Sequence, residues 1–548
     1  MVELRQKYSV GITKGKAWRA KAMAEEIIEG DNMLWSYAAE LRKHCAGNTV
    51  KINTERPHPT LPPRFGRFYL CLDGCKKGFT HGCRPFIGVD GCHLKTQYGG
   101  QLLIAVARDP NDQYYPLAFG VVETETKEGW RWFMQLLMED IGSERKYVFI
   151  SDQQKGLVSV FEEMFEQIEH RVCLRHLYAN FKNKFGGGAA IKDLLMGVAK
   201  ATYFQAWEKK MNELKQLDKK EWDWLMGVPK KLWCKHSFSF YLKCDVLMNN
   251  LSEYFNSTIL QARDKPILTM VEWIRNYIMN RIANSIVKLD KWKHNVMPNP
   301  RKKLDKETHF SGEWLPTWSS GDLWKVHHPY NGLQFFVDIG KKTCTCCFWG
   351  LVGIPCRHAV SALQYQNLDP EKYVDPCYMR DAYKACYENN VSPINGMDMW
   401  PTVDVENLLP PQYKKGLGRP KKLRFRELDE SGSRMRRVGV SYRCTKCDKL
   451  GHNSKKCQAT EQHPNALKRK RKTPSTKVST KPVAAEPSTE QAQAGGNMEA
   501  QTEAAPTSTA QEPSVIEDPE LDALLNDMMA LYKEQESQVD NLTQPAVM

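Results

Sequence analysis

Three short runs rich in β-branched and aromatic residues follow one another between residues 85 and 124, and each has the length of a strand. They read PFIGVDGCHL, GQLLIAVARD and YYPLAFGVVET. Between the second and third runs, Asp109-Pro-Asn-Asp112 has the composition of a tight turn. The pattern therefore predicts a three-stranded antiparallel meander.

Helical and strand periods alternate after this meander. KEGWRWFMQLLMEDIG spaces Trp130, Phe133, Leu136 and Leu137 at helical intervals, whereas KYVFISD is a continuous apolar run typical of a buried strand. The helical run KGLVSVFEEMFEQI, the short strand HRVCL and the helical run RHLYANFKNKF come next. Three strands, a helix and then alternating strands and helices indicate an α/β domain with a mixed sheet.

The same reasoning divides the whole chain into segments. Residues 1–84 are predicted to form N-terminal helices and a connector, and residues 85–290 the α/β domain with a helical insertion over about 186–248. A β-rich stretch leads into a cysteine-rich module at 320–368. The remaining segments are a linker at 369–440, a second cysteine cluster at 441–460, and a basic run with an acidic tail at 461–548.

Most of the acidic tail is rich in Ala, Pro, Ser, Thr and Gln and cannot form a core, so it is predicted to be disordered. One amphipathic helix is predicted within it, over residues 518–532. Because that helix has no domain of its own to pack on, it is expected to dock on a protein partner.

Composition indicates a soluble globular protein in a reducing compartment. Of 548 residues, 41% are hydrophobic, and no apolar run reaches the ~18 residues of a membrane span, so no membrane is expected as a partner. No secretory signal follows Met1. Cysteines that cluster with histidine among the 17 are therefore better interpreted as zinc ligands than as disulfides.

Charge is distributed unevenly along the chain. The formal net charge is +14, but residues 414–472 carry 20 Lys and Arg against 5 Asp and Glu, whereas residues 473–548 carry 3 against 13. A basic block beside an acidic tail predicts a polyanionic partner, with DNA as the first candidate.

The run CTCCFWGLVGIPCRH contains two pairs of metal-binding side chains. Cys344 and Cys346 precede Cys356 and His358 in the pattern Cys-x-Cys-x9-Cys-x-His, which offers zinc four suitable donors. Four core residues that merely lie close together are the alternative, and Cys347 is a spare thiol. The spacing matches the SWIM-type zinc finger, in which a β-hairpin precedes the first pair and a helix carries the histidine.

A second cluster, CTKCDKLGHNSKKC, has the spacing of a CCHC zinc knuckle. Its ligands would be Cys444, Cys447, His452 and Cys457. Knuckles bind single-stranded or looped nucleic acid through a basic surface. Here that surface would be supplied by Lys446, Lys449, Lys455 and Lys456. Two structural zinc ions are therefore expected in all.

Two further basic stretches flank the knuckle. Arg419, Lys421 and Lys422 resemble the core of an AT-hook, which inserts arginine into a narrow minor groove, although a merely basic linker fits equally well. The run LKRKRK, at 467–472, is either a nuclear address or a phosphate contact. Location in the nucleus is the resulting expectation.

Two carboxylates occupy unusual places in the α/β domain. Asp90 lies within the first strand of the meander, and Asp152 follows the strand KYVFIS. A charge in a central strand is costly unless it faces a cation or a partner, so the pair suggests a shared cation. Two solvent-facing acids at strand ends are the alternative.

These residues also carry a family resemblance. The segment from RPFIGVDGCHLKTQYGG to the end of FMQLLMEDIG, with SDQQKGL and RVCLRHLYANF, resembles the transposase domain of plant Mutator-like elements. The resemblance extends from about residue 10 through the SWIM-type finger to the knuckle. It implies a ribonuclease-H-like core, interrupted by the helical insertion, that cleaves DNA strands and transfers them with Mg²⁺ or Mn²⁺.

Residues are carried over from the family motif by motif. The resemblance implies a DDE triad of Asp90, Asp152 and Glu253, the last in NNLSEYFNSTIL. Cys173 and His176 match the family's Cys-x2-His, for which a positioning role and a purely structural role are both open. Divalent metal at the triad would activate water and then a DNA 3′-hydroxyl. Homo-oligomerisation is a further open expectation.

Two functions from different classes fit this resemblance. One is an active transposase, and the other is a non-catalytic nuclear DNA-binding regulator domesticated from one, as in the transposase-derived far-red-response proteins. An RNA-binding knuckle protein with an idle core is a third reading. All three acids are present, which leaves catalysis open. The chain starts inside the family's N-terminal helical stretch, so recognition of element ends is open too.

Binding to DNA should weaken steeply with salt, because Lys and Arg contacts to phosphate release counterions. We expect the affinity of the full chain for a DNA duplex to fall at least about tenfold between about 50 and about 200 mM salt, measured by fluorescence anisotropy. Replacement of the LKRKRK lysines and arginines by alanine should flatten this dependence. A salt-independent affinity would contradict the role of the basic block.

Overall fold

The computed structural model describes residues 33–409, apart from 57, 97–98, 165–167 and 407, together with 444, 446–449, 457–461 and 463–464. The chain divides into two units, Met1–Leu423 and Arg424–Met548. The predicted helix over 518–532 lies outside the described residues. Among the residues that are described, no helix combines the length and apolarity needed to cross a membrane.

A seven-stranded mixed sheet organises the first unit. Its strands are β1 Thr49–Glu55, β2 Arg64–Cys71, β3 Arg84–His93, β4 Gln101–Arg108, β5 Tyr114–Val122, β6 Val148–Ser151 and β7 Glu169–Val172. They lie in the order β1-β2-β5-β4-β3-β6-β7, with β3–β6 and β6–β7 parallel and the remaining pairs antiparallel. The predicted mixed α/β fold is confirmed.

The meander β3–β4–β5 follows the sequence prediction closely. In the turn between β4 and β5, the Asp112 amide donates to the Asp109 carbonyl at 3.0 Å, and the Gln113 amide donates to Asp109 Oδ1 at 2.7 Å. Asp112 adopts a left-handed φ of 59°, which aspartate tolerates better than most residues. The turn therefore fixes the register of the two strands.

Strands β1 and β2 were not predicted. We expected helices followed by an irregular connector over residues 1–84, and the structure has helix α1, Leu34–His44, and then this hairpin-like pair extending the sheet beyond β5. The first half of β2 carries Arg64, Gly66 and Arg67, which obscure a strand pattern. Its second half, Phe68–Cys71, is buried throughout.

Helices α2 Asp73–Gly82, α3 Lys127–Ile141, α4 Lys155–Met164 and α5 Leu174–Phe185 connect the strands. Helix α3 begins where the Thr126 side chain accepts a hydrogen bond from the Gly129 amide at 3.1 Å. Its buried face, with Trp130, Phe133 and Leu137, has the spacing of an amphipathic helix and packs into the main core.

The predicted helical insertion forms a second hydrophobic core. It comprises α6 Ala189–Lys200, α7 Phe204–Leu217 and α8 Lys219–Met226, which are followed by α9 Asn250–Thr258, α10 Ile267–Lys291 and α11 Pro298–Ser311. Trp207 and Trp233 are buried in this core together with Leu174 and Leu177 of α5. The insertion is thus packed directly on the α/β domain.

A four-stranded antiparallel sheet follows α11, in the order β11-β10-β9-β8. Its strands are β8 Leu315–Ser320, β9 Leu323–His327, β10 Gln334–Asp338 and β11 Thr343–Cys344, and three helices come after them, α12 Phe348–Val352, α13 Arg357–Tyr365 and α14 Arg380–Tyr387. Leu351 and Val360 join the core of the insertion. The module is therefore continuous with the rest of the first unit.

Helices α2 and α14 pack at unusually short range. A Cβ atom on Gly82 would lie 2.3 Å from the Cys386 backbone nitrogen, and one on Gly78 would lie 2.1 Å from the Cys386 carbonyl oxygen. Cys83 Sγ and Cys386 Sγ are 3.2 Å apart in the same contact. Only glycine permits this approach, because any side chain would overlap backbone atoms that cannot rotate away.

We expect Gly82→Ala to lower the free energy of unfolding by about 1–3 kcal/mol through overpacking. Thermal denaturation followed by circular dichroism would measure the change. Gly188→Ala is the matched control, since a Cβ atom there meets nothing within 4 Å. Equal denaturation midpoints for the two variants would contradict the role assigned to the α2–α14 contact.

Candidate active site and metal-binding sites

Parallel pairing of β3 with β6 determines where the first two predicted acids lie. Gly88 on β3 is in register with Ile150 on β6. Asp90 and Asp152 each follow two residues later, so both carboxylates occupy the same end of adjacent strands. These are the two acids for which the sequence analysis suggested a shared cation.

Asp90 is held in a fixed orientation by two hydrogen bonds. Its Oδ1 accepts from the Gly91 amide at 2.9 Å, and its Oδ2 accepts from Asn256 Nδ2 at 2.8 Å. Burial raises the pKa of Asp90 to about 7, and the negative charges of Asp152 and Glu253 contribute to the shift. The Asp90 carboxyl group therefore lies within electrostatic reach of both other acids of the predicted triad.

Helix α9 contacts β3 through a polar face that was not predicted. Asn249 Nδ2 donates to the Val89 carbonyl at 3.0 Å, and Ser252 Oγ donates to Asn249 Oδ1 at 2.8 Å. A Cβ atom on Gly88 would lie 2.3 Å from Asn249 Oδ1, so glycine is needed for this approach. Asn249, Ser252 and Asn256 are spaced by three and four residues, a signal that the sequence did contain.

Glu253 lies on the first turn of α9, next to the Cys-x2-His pair. Potential ligand atoms of Cys173, His176 and Glu253 all lie within 4.8 Å of one another. The exposed guanidinium of Arg175 also forms an ion pair with Glu253. The structure thus brings Cys173 and His176 to the third acid, a proximity that the sequence motif alone did not indicate.

Cys173 and His176 influence each other's protonation. A hydrogen bond with Cys173 raises the pKa of His176 to about 9, and the charges of Cys173, Asp152 and Glu253 add to this shift while burial opposes it. Burial would raise the pKa of Cys173, but hydrogen bonds from His176 and from the Asn249 amide outweigh it and lower that pKa. Each partner therefore shifts the pKa of the other, upward for His176 and downward for Cys173.

The three acids do not form one tight ligand group. Among the described residues, the groups whose ligand atoms all lie within 4.8 Å include Glu253 with Cys173 and His176, but none contains Asp90 or Asp152. Two-metal sites hold their ions about 4 Å apart. Carboxylates that bind different ions of such a pair are consequently farther apart than ligands of a single ion. The charges of both other acids affect the pKa of Asp90, so its carboxylate is the one suited to bind both ions.

A fourth carboxylate near this site, Glu125, was missed by the sequence analysis. A Cβ atom on Gly91 would lie 3.0–3.2 Å from its carboxylate atoms, and its Oε1 accepts from Trp130 Nε1 at 3.1 Å. Burial raises the pKa of Glu125, and the negative charge of Asp152 adds to the rise. The one sequence signal for Glu125 is its position just after β5, at the end of the sheet where Asp90 and Asp152 lie.

The module after α11 brings together its four predicted ligands. The ligand atoms of Cys344, Cys346, Cys356 and His358 lie within 4.8 Å of one another, and all four residues are buried. His358 Nδ1 is 3.5 Å from Cys344 Sγ and 3.8 Å from Cys356 Sγ. Cys347, the spare thiol, is outside this group and has a left-handed φ of 62°.

The surroundings of this cluster orient its histidine and favour a thiolate. The His358 ring stacks on Phe335 with ring centroids 4.2 Å apart. It also packs edge-to-face with Trp314, with ring centroids 4.1 Å apart. Burial alone would raise the pKa of Cys356, but hydrogen bonds from Cys344, Cys346 and His358 hold it well below its usual value. Three thiols and an imidazole in this geometry form a closed set of the kind that binds structural zinc.

In the second unit, the described residues include three of the four predicted ligands of the knuckle. The sulphur atoms of Cys444, Cys447 and Cys457 lie within 4.8 Å of one another. The Lys446 amide donates to Cys444 Sγ at 3.4 Å, and the Cys444 amide donates to the Lys449 carbonyl at 2.8 Å. The remaining predicted residues of this unit and of the AT-hook-like segment lie outside the described residues: His452, Lys455, Lys456, Arg419, Lys421 and Lys422.

Two family models match segments of the first unit. Residues 86–180 match the MULE transposase domain, and residues 335–367 match the SWIM zinc finger. No curated protein matches the chain. The first match spans Asp90, Asp152, Cys173 and His176 and ends before Glu253. Together the two matches support a protein of the Mutator-like transposase type that binds zinc and nucleic acid.

We expect Cys356→Ser to remove one equivalent of zinc from the purified full chain and to lower its thermal denaturation midpoint, because zinc binding contributes directly to folding. Zinc content per chain would be measured by inductively coupled plasma mass spectrometry. Cys347→Ser should leave both quantities unchanged. The assignment of the ligands would be wrong if the two serine variants lost zinc equally.

Proposed function

We propose that this protein is a transposase, or derives from one, that cleaves DNA strands and joins them with divalent metal held by Asp90, Asp152 and Glu253. The observation that carries the proposal is the parallel pairing of β3 with β6, which sets Asp90 beside Asp152 while α9 supplies Glu253. The order of three antiparallel strands followed by two parallel ones, β5-β4-β3-β6-β7, supports a ribonuclease-H-like core.

The chemistry of these side chains suits Mg²⁺ or Mn²⁺. Carboxylate oxygens are the ligands both ions prefer. Mutual repulsion is already evident at the site, since Asp152 and Glu253 help to raise the pKa of Asp90. Divalent cations bound there would offset that repulsion, activate water or a 3′-hydroxyl, and stabilise the leaving oxygen of the scissile phosphate.

The protein itself supplies orientation. Asn256 and the Gly91 amide each hold one oxygen of Asp90, so the carboxylate cannot rotate freely. Asn249 and Ser252 fix α9 against β3 and thereby fix the turn that carries Glu253. Asp152 Oδ1 accepts from the Gln154 amide at 3.2 Å. Asn256 is accordingly a positioning residue for the first acid.

DNA would be bound chiefly outside the candidate active site. We assign that role to the knuckle and its flanking basic segments, with His452 as fourth zinc ligand beside Cys444, Cys447 and Cys457. The basic side chains concerned are Arg419, Lys421, Lys422, Lys446, Lys449, Lys455 and Lys456. Their cationic density supports phosphate contacts and location in the nucleus.

One observation favours the alternative, a non-catalytic DNA-binding regulator of nuclear genes. Arg175 forms an ion pair with Glu253, and Arg175 Nη2 also donates to Asn250 Oδ1 at 3.3 Å. A cation from the protein in this position competes with metal for the third acid. DNA binding without metal-dependent cleavage by the wild-type chain would select this alternative.

We expect Asp90→Asn and Asp152→Asn each to reduce Mn²⁺-dependent plasmid nicking and 3′-end joining by at least about 100-fold, since even residues that only support metal ligands affect activity 10- to 100-fold. Affinity for DNA should persist, because the basic surface is untouched. Glu163→Gln, which alters an exposed acid paired with Lys127 and Arg131, is the control and should retain activity. Parallel loss of binding and cleavage in the aspartate variants would contradict the assignment.

A further inference from the structure

Beside the proposed triad lies a ligand set of different chemical character. Cys173, His176 and Glu253 offer one thiol, one imidazole and one carboxylate, whose ligand atoms are mutually within 4.8 Å. We propose that these three side chains form a separate binding site for zinc or another thiophilic divalent cation. With the zinc finger and the knuckle, it would be the third sulphur-containing metal site of the chain.

The local backbone positions the two motif residues for joint coordination. Cys173 follows directly on β7 and precedes the first residue of α5, and its amide donates to the Ser151 carbonyl at 2.7 Å. His176 follows three residues later on the first turn, so the two side chains lie on the same side of the helix. The adjacent Leu174 amide donates to the Leu247 carbonyl at 2.7 Å, which ties the start of α5 to the segment leading into α9.

Supporting groups around the site match those of a metal centre. The Asn249 amide donates to Cys173 Sγ at 3.3 Å and thereby orients the sulphur. The Nδ1 atom of His176 is buried and has no hydrogen-bond partner among the described residues, so this nitrogen is not committed to the protein. Two elements, the α5 start and the α9 first turn, converge on the site from opposite ends of the insertion.

Donor type separates this site from the proposed catalytic one. Zinc takes thiolate, imidazole and carboxylate ligands, and three protein ligands leave a fourth position for water or substrate. Mg²⁺ demands oxygen ligands and does not favour sulphur. Binding would release one proton from the Cys173–His176 pair to solvent, because the metal takes the thiolate and the neutral imidazole.

Sharing of Glu253 couples the two sites. This step rests on the proposed function: a thiophilic cation that engages the Glu253 carboxylate withdraws it from the catalytic triad. Arg175 would have to leave Glu253, and its guanidinium is sufficiently exposed to turn into solvent. Micromolar zinc would then inhibit Mg²⁺-dependent cleavage, and Cys173→Ser would relieve the inhibition.

Metal stoichiometry tests the site without reference to DNA cleavage. We expect Cys173→Ser in the full chain to hold one zinc equivalent fewer than the wild type, measured by titration against a chromophoric chelator. Cys45→Ser, a half-buried cysteine outside the three ligand groups of the described residues, is the matched control and should keep the wild-type content. Double substitution at Cys173 and Cys356 should lose two equivalents.

Glu253→Gln is the second variant, because this half-buried side chain can be changed without creating a cavity in the core. It should weaken binding at the same site at least about tenfold. Equal zinc content and affinity in the wild type, Cys173→Ser and Glu253→Gln would overturn the inference. If the chain binds the extra zinc but does not cleave DNA, this site is supported and the proposed cleavage is contradicted. If the chain cleaves DNA but does not bind the extra zinc, the proposed cleavage is supported and this site is contradicted.

Discussion

Parallel pairing between β3 and β6 is the constraint on which the candidate active site depends. Register between Gly88 and Ile150 puts Asp90 and Asp152 side by side, although about 60 residues of chain separate them. Gly88 has a second role in the same place, since its missing side chain admits Asn249, the residue that precedes α9. The β3–β6 pair therefore determines the distance between Asp90 and Asp152. Through Gly88 it also determines where α9, which carries Glu253, packs on the sheet.

Sequence patterns predicted the elements correctly where the spacing of apolar residues matches the face that the element buries. The meander, α3 and β6 have apolar runs that match the faces they bury, and the fold class followed from them. Strand β2 was missed because Arg64 and Arg67 occupy its first half. Site residues divide similarly: acids that interrupt an apolar strand, such as Asp90, are conspicuous, whereas Glu125 lies in a polar stretch where a carboxylate is ordinary.

Proximity across the insertion was beyond the reach of sequence reasoning. Cys173 and Glu253 are separated by the whole helical insertion, and no local period relates them. Their contact arises because the Asn249 amide reaches Cys173 Sγ and the Leu174 amide reaches the Leu247 carbonyl. These two hydrogen bonds hold the two ends of the insertion together. The ends of the insertion, rather than its helices, therefore determine the geometry around Glu253.

The zinc finger packs against α5, the helical insertion and α11. Leu351, Val352 and Val360 of the finger share a hydrophobic core with Leu174 and Leu177 of α5. Thr202 Oγ1, in the insertion, donates to the Cys346 carbonyl at 2.6 Å, and the Arg357 guanidinium donates to both oxygens of Glu307 on α11. The finger therefore packs directly on α5, whose first turn carries His176. Loss of the finger's fold would therefore disturb the packing of the helix that begins beside Glu253.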